Sequence, residues 1–134
     1  MRILLIAIFV CTTFLGFAQN KTTIVEKGVK MIRTLEQDIA QGEKKMLLEK
    51  EEYYDVKGEL IELKVFDEKG RIKKWEQYKY SAEGKLTEEK YLNYKGDVDE
   101  RIEHVFKNGL KVEKLYYDDK NRLYKKKKYE VEFR

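Results

Sequence analysis

The sequence contains no proline, one cysteine (Cys11), one histidine (His104) and one tryptophan (Trp75) in 134 residues. These scarcities exclude several kinds of chemistry. A zinc site built from Cys and His needs several such ligands, and this chain has one of each, far apart. Asp97-x-Asp99-Glu100 lacks the glycine and the spaced acid of a calcium loop and reads as a turn followed by a solvated strand face. No Ser/His/Asp set, phosphate loop or dinucleotide fingerprint is present. Neither a metal, a cofactor nor a catalytic residue is expected, and an enzyme is not. The formal net charge of +4 is too small to suggest nucleic acid as a partner. The one long apolar run is Ile3–Leu15.

What the chain does contain is a repeat. Tyr54-Asp-Val-Lys-Gly-Glu-Leu60 returns as Phe66-Asp-Glu-Lys-Gly-Arg-Ile72, Tyr80-Ser-Ala-Glu-Gly-Lys-Leu86 and Tyr117-Asp-Asp-Lys-Asn-Arg-Leu123. Looser copies occupy 92–98 and 106–110. An aromatic ends one strand, and Asp, Asn or Ser opens a turn by accepting backbone hydrogen bonds. Gly or Asn then takes a left-handed position open to few other residues, and an aliphatic starts the next strand. The pattern is that of a type I turn with a G1 bulge; at Asn108-Gly109 it shortens to a two-residue hairpin turn. The turn residues are therefore Asp55, Gly58, Asp67, Gly70, Gly84, Gly96, Asn108, Gly109 and Asn121. Recurrence every 12–14 residues leaves room for one strand between turns and none for a crossover helix. The expected fold is all-β: an antiparallel β-meander of about seven or eight strands forming a thin, twisted sheet.

Three segments follow. Residues 1–18, with a basic start, the apolar run and the small residues Gly16 and Ala18, form an expected signal peptide cleaved after Ala18. Its removal takes Cys11 away, lowers the charge to +3, and leaves no membrane span in Gln19–Arg134. Residues 19–43 admit two readings: strand–turn–strand around Gly28 and Gly42, or a short amphipathic helix with a Thr23-x-x-Glu26 capping box and Val25, Val29, Ile32, Leu35 and Ile39 on one side. Residues 44–134 are the meander, its last strand spanning 122–133. With 40% charged residues the chain is too polar for a thick sandwich core. One sheet face is expected to carry aliphatics and aromatics, the other Lys/Glu ladders. Lys125 to Lys128 would protect an exposed edge.

The Tyr/Phe-Asp-x-x-Gly-x-Leu/Ile motif resembles the YD repeats of RHS-type secreted proteins. It is also similar to the arrays of small signal-bearing bacterial envelope proteins described as MORN-like or YwqK-type antitoxin-like. The resemblance covers about residues 44–134 and implies antiparallel β-repeats outside the cytoplasm, in the periplasm, at the surface or beyond.

The candidate binding residues are aromatic and basic. Trp75, Tyr91, Tyr117 and Tyr124, with Lys73, Lys79 and Arg122, are a candidate stripe that would stack sugars or grip an acidic partner; packing of the repeat itself accounts for the same aromatics. His104, alternating with Ile102 and Phe106, reads as a packed strand residue. The leading expectation is a non-enzymatic binding or scaffold module of the cell envelope, with a protein partner on a sheet face or edge and an edge-to-edge homodimer as one form of that contact. The alternatives are a glycan or cell-wall binder using Trp75, and, on the resemblance alone, a secreted immunity protein.

Overall fold

The structure, a computed structural model, describes residues 20–134; the expected signal segment lies outside them. A short helix α1 (Lys21–Glu26) precedes eight strands: β1 (Met31–Glu36), β2 (Leu47–Tyr54), β3 (Leu60–Phe66), β4 (Ile72–Tyr80), β5 (Leu86–Leu92), β6 (Val98–Lys107), β7 (Leu110–Tyr117) and β8 (Leu123–Lys128). The strands lie side by side in chain order as one antiparallel sheet, with β1 and β8 as its free edges. This is the expected meander, and it is open. Among the described residues no helix is long and apolar enough to cross a membrane.

The turns explain the order. In the β2–β3 connection Asp55 Oδ1 accepts the N–H groups of Lys57 and Glu59, both at 2.9 Å. Asp67 does the same for Lys69 and Arg71, and Asp118 for Lys120 and Arg122. At 93 an asparagine serves equally well, accepting from Lys95 and Asp97. Each turn then places Gly or Asn at positive φ, from 58° at Asn121 to 90° at Gly96. Asn108 and Gly109 are both left-handed, the type I′ geometry whose twist suits a tight hairpin.

A second irregularity follows every turn. Tyr53 faces Glu62 but Tyr54 faces Leu60, leaving Ile61 as an extra residue; Lys73, Thr87, Asp99, Val112 and Tyr124 are its equivalents in the later hairpins. Each bulge interrupts the alternation of faces, which matters for the site below.

Nothing is stacked on the sheet. The only buried apolar residues among those described are Ile24, Ile102 and Tyr116, and Glu51, Glu76 and His104 are buried as well. The expected division into an apolar and a charged face is not found. The register puts Leu63, Val65, Glu76, Tyr78, Glu89, Tyr91, Ile102, His104, Lys114 and Tyr116 on one face, called here the His104 face. The other, the Trp75 face, carries Tyr53, Glu62, Lys64, Trp75, Lys79, Glu88, Arg101, Glu103 and Tyr117. With water on both sides neither face has to be apolar, and long side chains lie flat to cover the backbone.

Two further expectations are corrected. Residues 19–43 combine both readings in a different place: α1 is capped by Asn20, whose side chain accepts from Thr22 N–H at 3.0 Å, not by Thr23. Gly28 at φ +61° stops the helix, and Ile32 and Leu35 belong to β1. The last strand ends at Lys128, not at Phe133: beyond it a single backbone bond, from Tyr129 N–H to the Val112 carbonyl, continues the ladder, and residues past 131 run beyond Leu110, the first residue of β7.

Helix α1 rests on the β2–β3 turn: a Cβ added to Gly58 would lie 2.9 Å from Val25 Cγ2 and 3.1 Å from the Lys21 carbonyl oxygen, whereas one added to Gly70 meets nothing. Both positions are left-handed, so alanine at Gly70 should cost about 1–2 kcal/mol. Gly58→Ala should cost at least about 1 kcal/mol more, from overpacking. Urea unfolding of the two variants tests this, and equal losses would show that the helix does not seat on the turn.

Candidate binding surface

The aromatic rings of the sheet are held by carboxylates. In β2, β4 and β5 a Glu-x-Tyr pair shares one face, and each tyrosine hydroxyl donates to the glutamate two residues before it: Tyr53 to Glu51 at 2.9 Å, Tyr78 to Glu76, and Tyr91 to Glu89 at 3.3 Å. On the Trp75 face the Trp75 indole N–H donates to Glu62 and Tyr117 to Glu103. Cations cover the same rings, Lys64 Nζ at 4.5 Å from the Trp75 ring centre and the Arg101 guanidinium at 3.9 Å from that of Tyr117. Such contacts are worth about 0.5–1 kcal/mol each at exposed sites.

These contacts divide the expected stripe. Trp75 and Tyr117 lie on one face, Tyr91 and Tyr124 on the other. Tyr124 changes side because it is the bulge residue of β8; its ring lies 6.2 Å from that of Tyr116 and its hydroxyl reaches Glu100. Lys79 pairs with Glu88 at 3.2 Å on the Trp75 face. Arg122 is held by Asp118 in the β7–β8 turn, its Nε donating to Oδ2 at 2.8 Å. Lys73 is an exposed bulge residue in β4 with no carboxylate within 4.0 Å among the described residues. The seven residues do not form one surface.

A different cluster does form, on the His104 face at the β8 end. Tyr116, buried one residue before the end of β7, is surrounded by Lys125 at 4.1 Å, Lys114 at 5.1 Å and Lys127 at 5.9 Å from Nζ to ring centre. None of the three has a carboxylate within 4.0 Å among the described residues; the neighbouring ion pair joins Lys126 to Glu113 on the opposite face. Burial pushes the Tyr116 hydroxyl up, but the surrounding Lys114, Lys127 and Lys125 outweigh it and hold the phenol below the ordinary tyrosine value. The other tyrosines of this face shift the opposite way. Burial, then the charges of Glu89 and Glu76, push Tyr91 up to about 12; the bond to Glu100 does the same for Tyr124, also to about 12. Burial and Glu76 raise Tyr78 further.

Sequence reasoning read Lys125 to Lys128 as an edge guard and passed over Tyr116. The signal was available in Lys114-x-Tyr116 and Lys125-x-Lys127, but only once the hairpin register sets Tyr116 opposite Lys125 and Lys114 opposite Lys127.

His104 sits next to this cluster, its side chain 4% exposed and Nε2 2.7 Å from Glu89 Oε2. It is the packed strand residue its alternation implied, with Nδ1 buried and unpartnered. A hollow of about 610 Å³ between the β1–β2 loop and the β3–β4 turn is lined by Glu36, Asp38, Glu43, Glu49, Asp67 and Glu68 among others. No group of three or more His, Cys, Asp or Glu side chains among the described residues is arranged to hold a metal.

The fold and this surface define an open, single-layer antiparallel sheet with a basic aromatic patch at one edge. The sequence matches no protein-family profile and no curated protein.

The tyrosines make opposite predictions for alkaline titration. Tyr91 and Tyr124 have folded pKa values above the ordinary value of about 10, so their contribution is complete below pH 10 and is lost as pH rises through about 12. Tyr116 ionises earlier than an ordinary tyrosine and favours the fold in its ionised form. Tyrosinate absorbance near 295 nm should therefore begin to rise in the folded protein below the usual tyrosine range, and Tyr116→Phe should remove that first increment. An unchanged onset in the variant would contradict the assignment.

Proposed function

We propose that this chain is an exported, non-enzymatic binding module that takes an acidic protein partner on the His104 face at its β8 end. The observation that carries the reading is the convergence of Lys114, Lys125 and Lys127 on Tyr116 without a carboxylate among them. Three like charges this close repel one another, and partner carboxylates would relieve the repulsion while raising the rate of encounter. Tyr116 and Tyr124 supply the adjoining aromatic area, of the kind that anchors protein interfaces. Elsewhere on the sheet most carboxylates are already engaged: Glu76 by Lys74 and Tyr78, Glu88 by Lys79, Lys90 and Arg101, Glu103 by Arg101 and Tyr117.

A saccharide site centred on Trp75 has less support. Its indole N–H is engaged by Glu62, Lys64 covers the ring, and a Cβ on Gly96 would come within 3.3 Å of its edge. The reading of residues 1–18 as a signal peptide and the likeness to secreted YD-type repeats support a place in the envelope or outside it.

The test uses protein recovered from the envelope fraction, whose mass should correspond to a chain beginning at Gln19. Immobilised, it should retain acidic proteins in a salt-dependent manner. Lys114→Gln/Lys125→Gln/Lys127→Gln should lose them at least about tenfold, roughly 1.4 kcal/mol, while Lys44→Gln/Lys45→Gln/Lys57→Gln should not. Equal retention by both triple variants would reject the surface, and an uncleaved chain confined to the cytoplasm would reject export.

A further inference from the structure

β8 is a bare edge. All six of its residues are exposed, and the chain continues beyond it as Tyr129-Glu-Val-Glu-Phe-Arg134. One backbone bond ties that continuation down, from Tyr129 N–H to the Val112 carbonyl at 2.9 Å. Lys128 faces Glu113, so residue 131 falls beside Leu110 and the rest extends past the Asn108–Gly109 turn. Tyr129, Val131 and Phe133 alternate along this stretch and are 40, 48 and 78% exposed. The same bond fixes the direction of the other amides. Successive N–H groups of a strand point to opposite sides; with that of Tyr129 turned toward β7, those of Lys126, Lys128, Glu130 and Glu132 point away from the sheet, along its open edge.

The charges on those four residues are antisymmetric about Tyr129: Lys126 and Lys128 before it, Glu130 and Glu132 after it. We propose that Tyr124–Arg134 pairs with the same stretch of a second copy, antiparallel, about a two-fold axis through Tyr129. In this register Lys128 faces Glu130 of the second copy and Lys126 faces its Glu132, and the two-fold repeats both pairs. These are the residues whose N–H and C=O groups point outward, so each pair also exchanges backbone hydrogen bonds. On the other face Lys125 meets Phe133, Lys127 meets Val131 and Tyr129 meets itself, covering the exposed apolar groups.

Geometry and charge together select this register. A two-fold normal to the sheet keeps each face on its own side, so facing residues must be both even or both odd, as they are here. Moving the axis to Lys128 sets that lysine against itself, and moving it to Glu130 does the same for the glutamate. Pairing β8 on itself without the continuation stacks Lys125 to Lys128 against their copies, which like charges across a strand pair oppose. The lysine run therefore blocks direct edge pairing and admits the offset one, in which two eight-stranded sheets join edge to edge. The pairing sets Phe133 and Val131 of the second copy beside Lys125 and Lys127 of the Tyr116 patch; it is argued from the strand edge and its charges and does not rest on the function proposed above.

Sedimentation equilibrium of the full chain tests it. The wild type should sediment at twice the mass of a single copy. Lys126→Glu/Lys128→Glu and Glu130→Lys/Glu132→Lys should each be monomeric, with dissociation constants raised on the order of 100-fold or more. Mixed together, the two variants should form a heterodimer, because every facing pair is again of opposite sign; this arm also shows that both are folded. On a Cys11→Ser background Tyr129→Cys should cross-link across the axis, whereas Lys127→Cys, which faces Val131, should not. A wild type monomeric at about 100 µM, a dimer unaffected by either charge reversal, or a mixture that stays monomeric would each overturn the proposal.

Discussion

With no second layer over either face of the sheet, each strand has to draw its stability from the strands beside it. That constraint accounts for the rest of the structure. Apolar burial, the main source of stability in a layered domain, is limited here to a few residues such as Ile102 and Tyr116. Cross-strand ladders and long side chains laid flat on the backbone supply the remainder. Tyrosine suits such a surface because its ring covers area while its hydroxyl finds a carboxylate, as in Tyr53 with Glu51 and Tyr91 with Glu89. Single ion pairs in water contribute little, but here they recur in chains such as Lys79, Glu88, Arg101 and Glu103. The turns then fix which strands become neighbours, through the side-chain caps of Asp55, Asp67, Asn93 and Asp118.

Most of this architecture is legible in the sequence because turn chemistry is local. An Asp three residues before a Gly determines a turn almost without reference to the rest of the chain, and the Asn108-Gly109 pair leaves little choice of geometry. The helix before β1 was harder to place. Hydrophobic spacing ran on through Val29, Ile32 and Leu35, and only the left-handed Gly28 shows where the helix stops. The end of the last strand was illegible for another reason: Tyr129, Val131 and Phe133 alternate like a strand, but only the Tyr129 N–H continues the ladder to β7, and the residues past 131 run beyond its first residue, Leu110.

The candidate site was the least legible part. Alternation assigns faces correctly only between bulges, and every hairpin carries one. Tyr124 is such a residue, which is why it joins Tyr116 instead of Tyr117, and why the expected aromatic stripe falls on two faces. The basic patch depends on register between β7 and β8, a relation across the hairpin that no single stretch displays. The proposed function thus rests on one end of the sheet, where lysines without a carboxylate partner among the described residues border both a face and an edge.

The central claim is that the sheet is open and one layer thick, and residue-resolved amide hydrogen exchange tests it most directly. An open sheet predicts slow exchange through β3 to β6 and, in β1, slow amides facing β2 alternating with fast ones facing solvent. Uniformly slow exchange along β1, as in a barrel closed onto β8, would contradict the account.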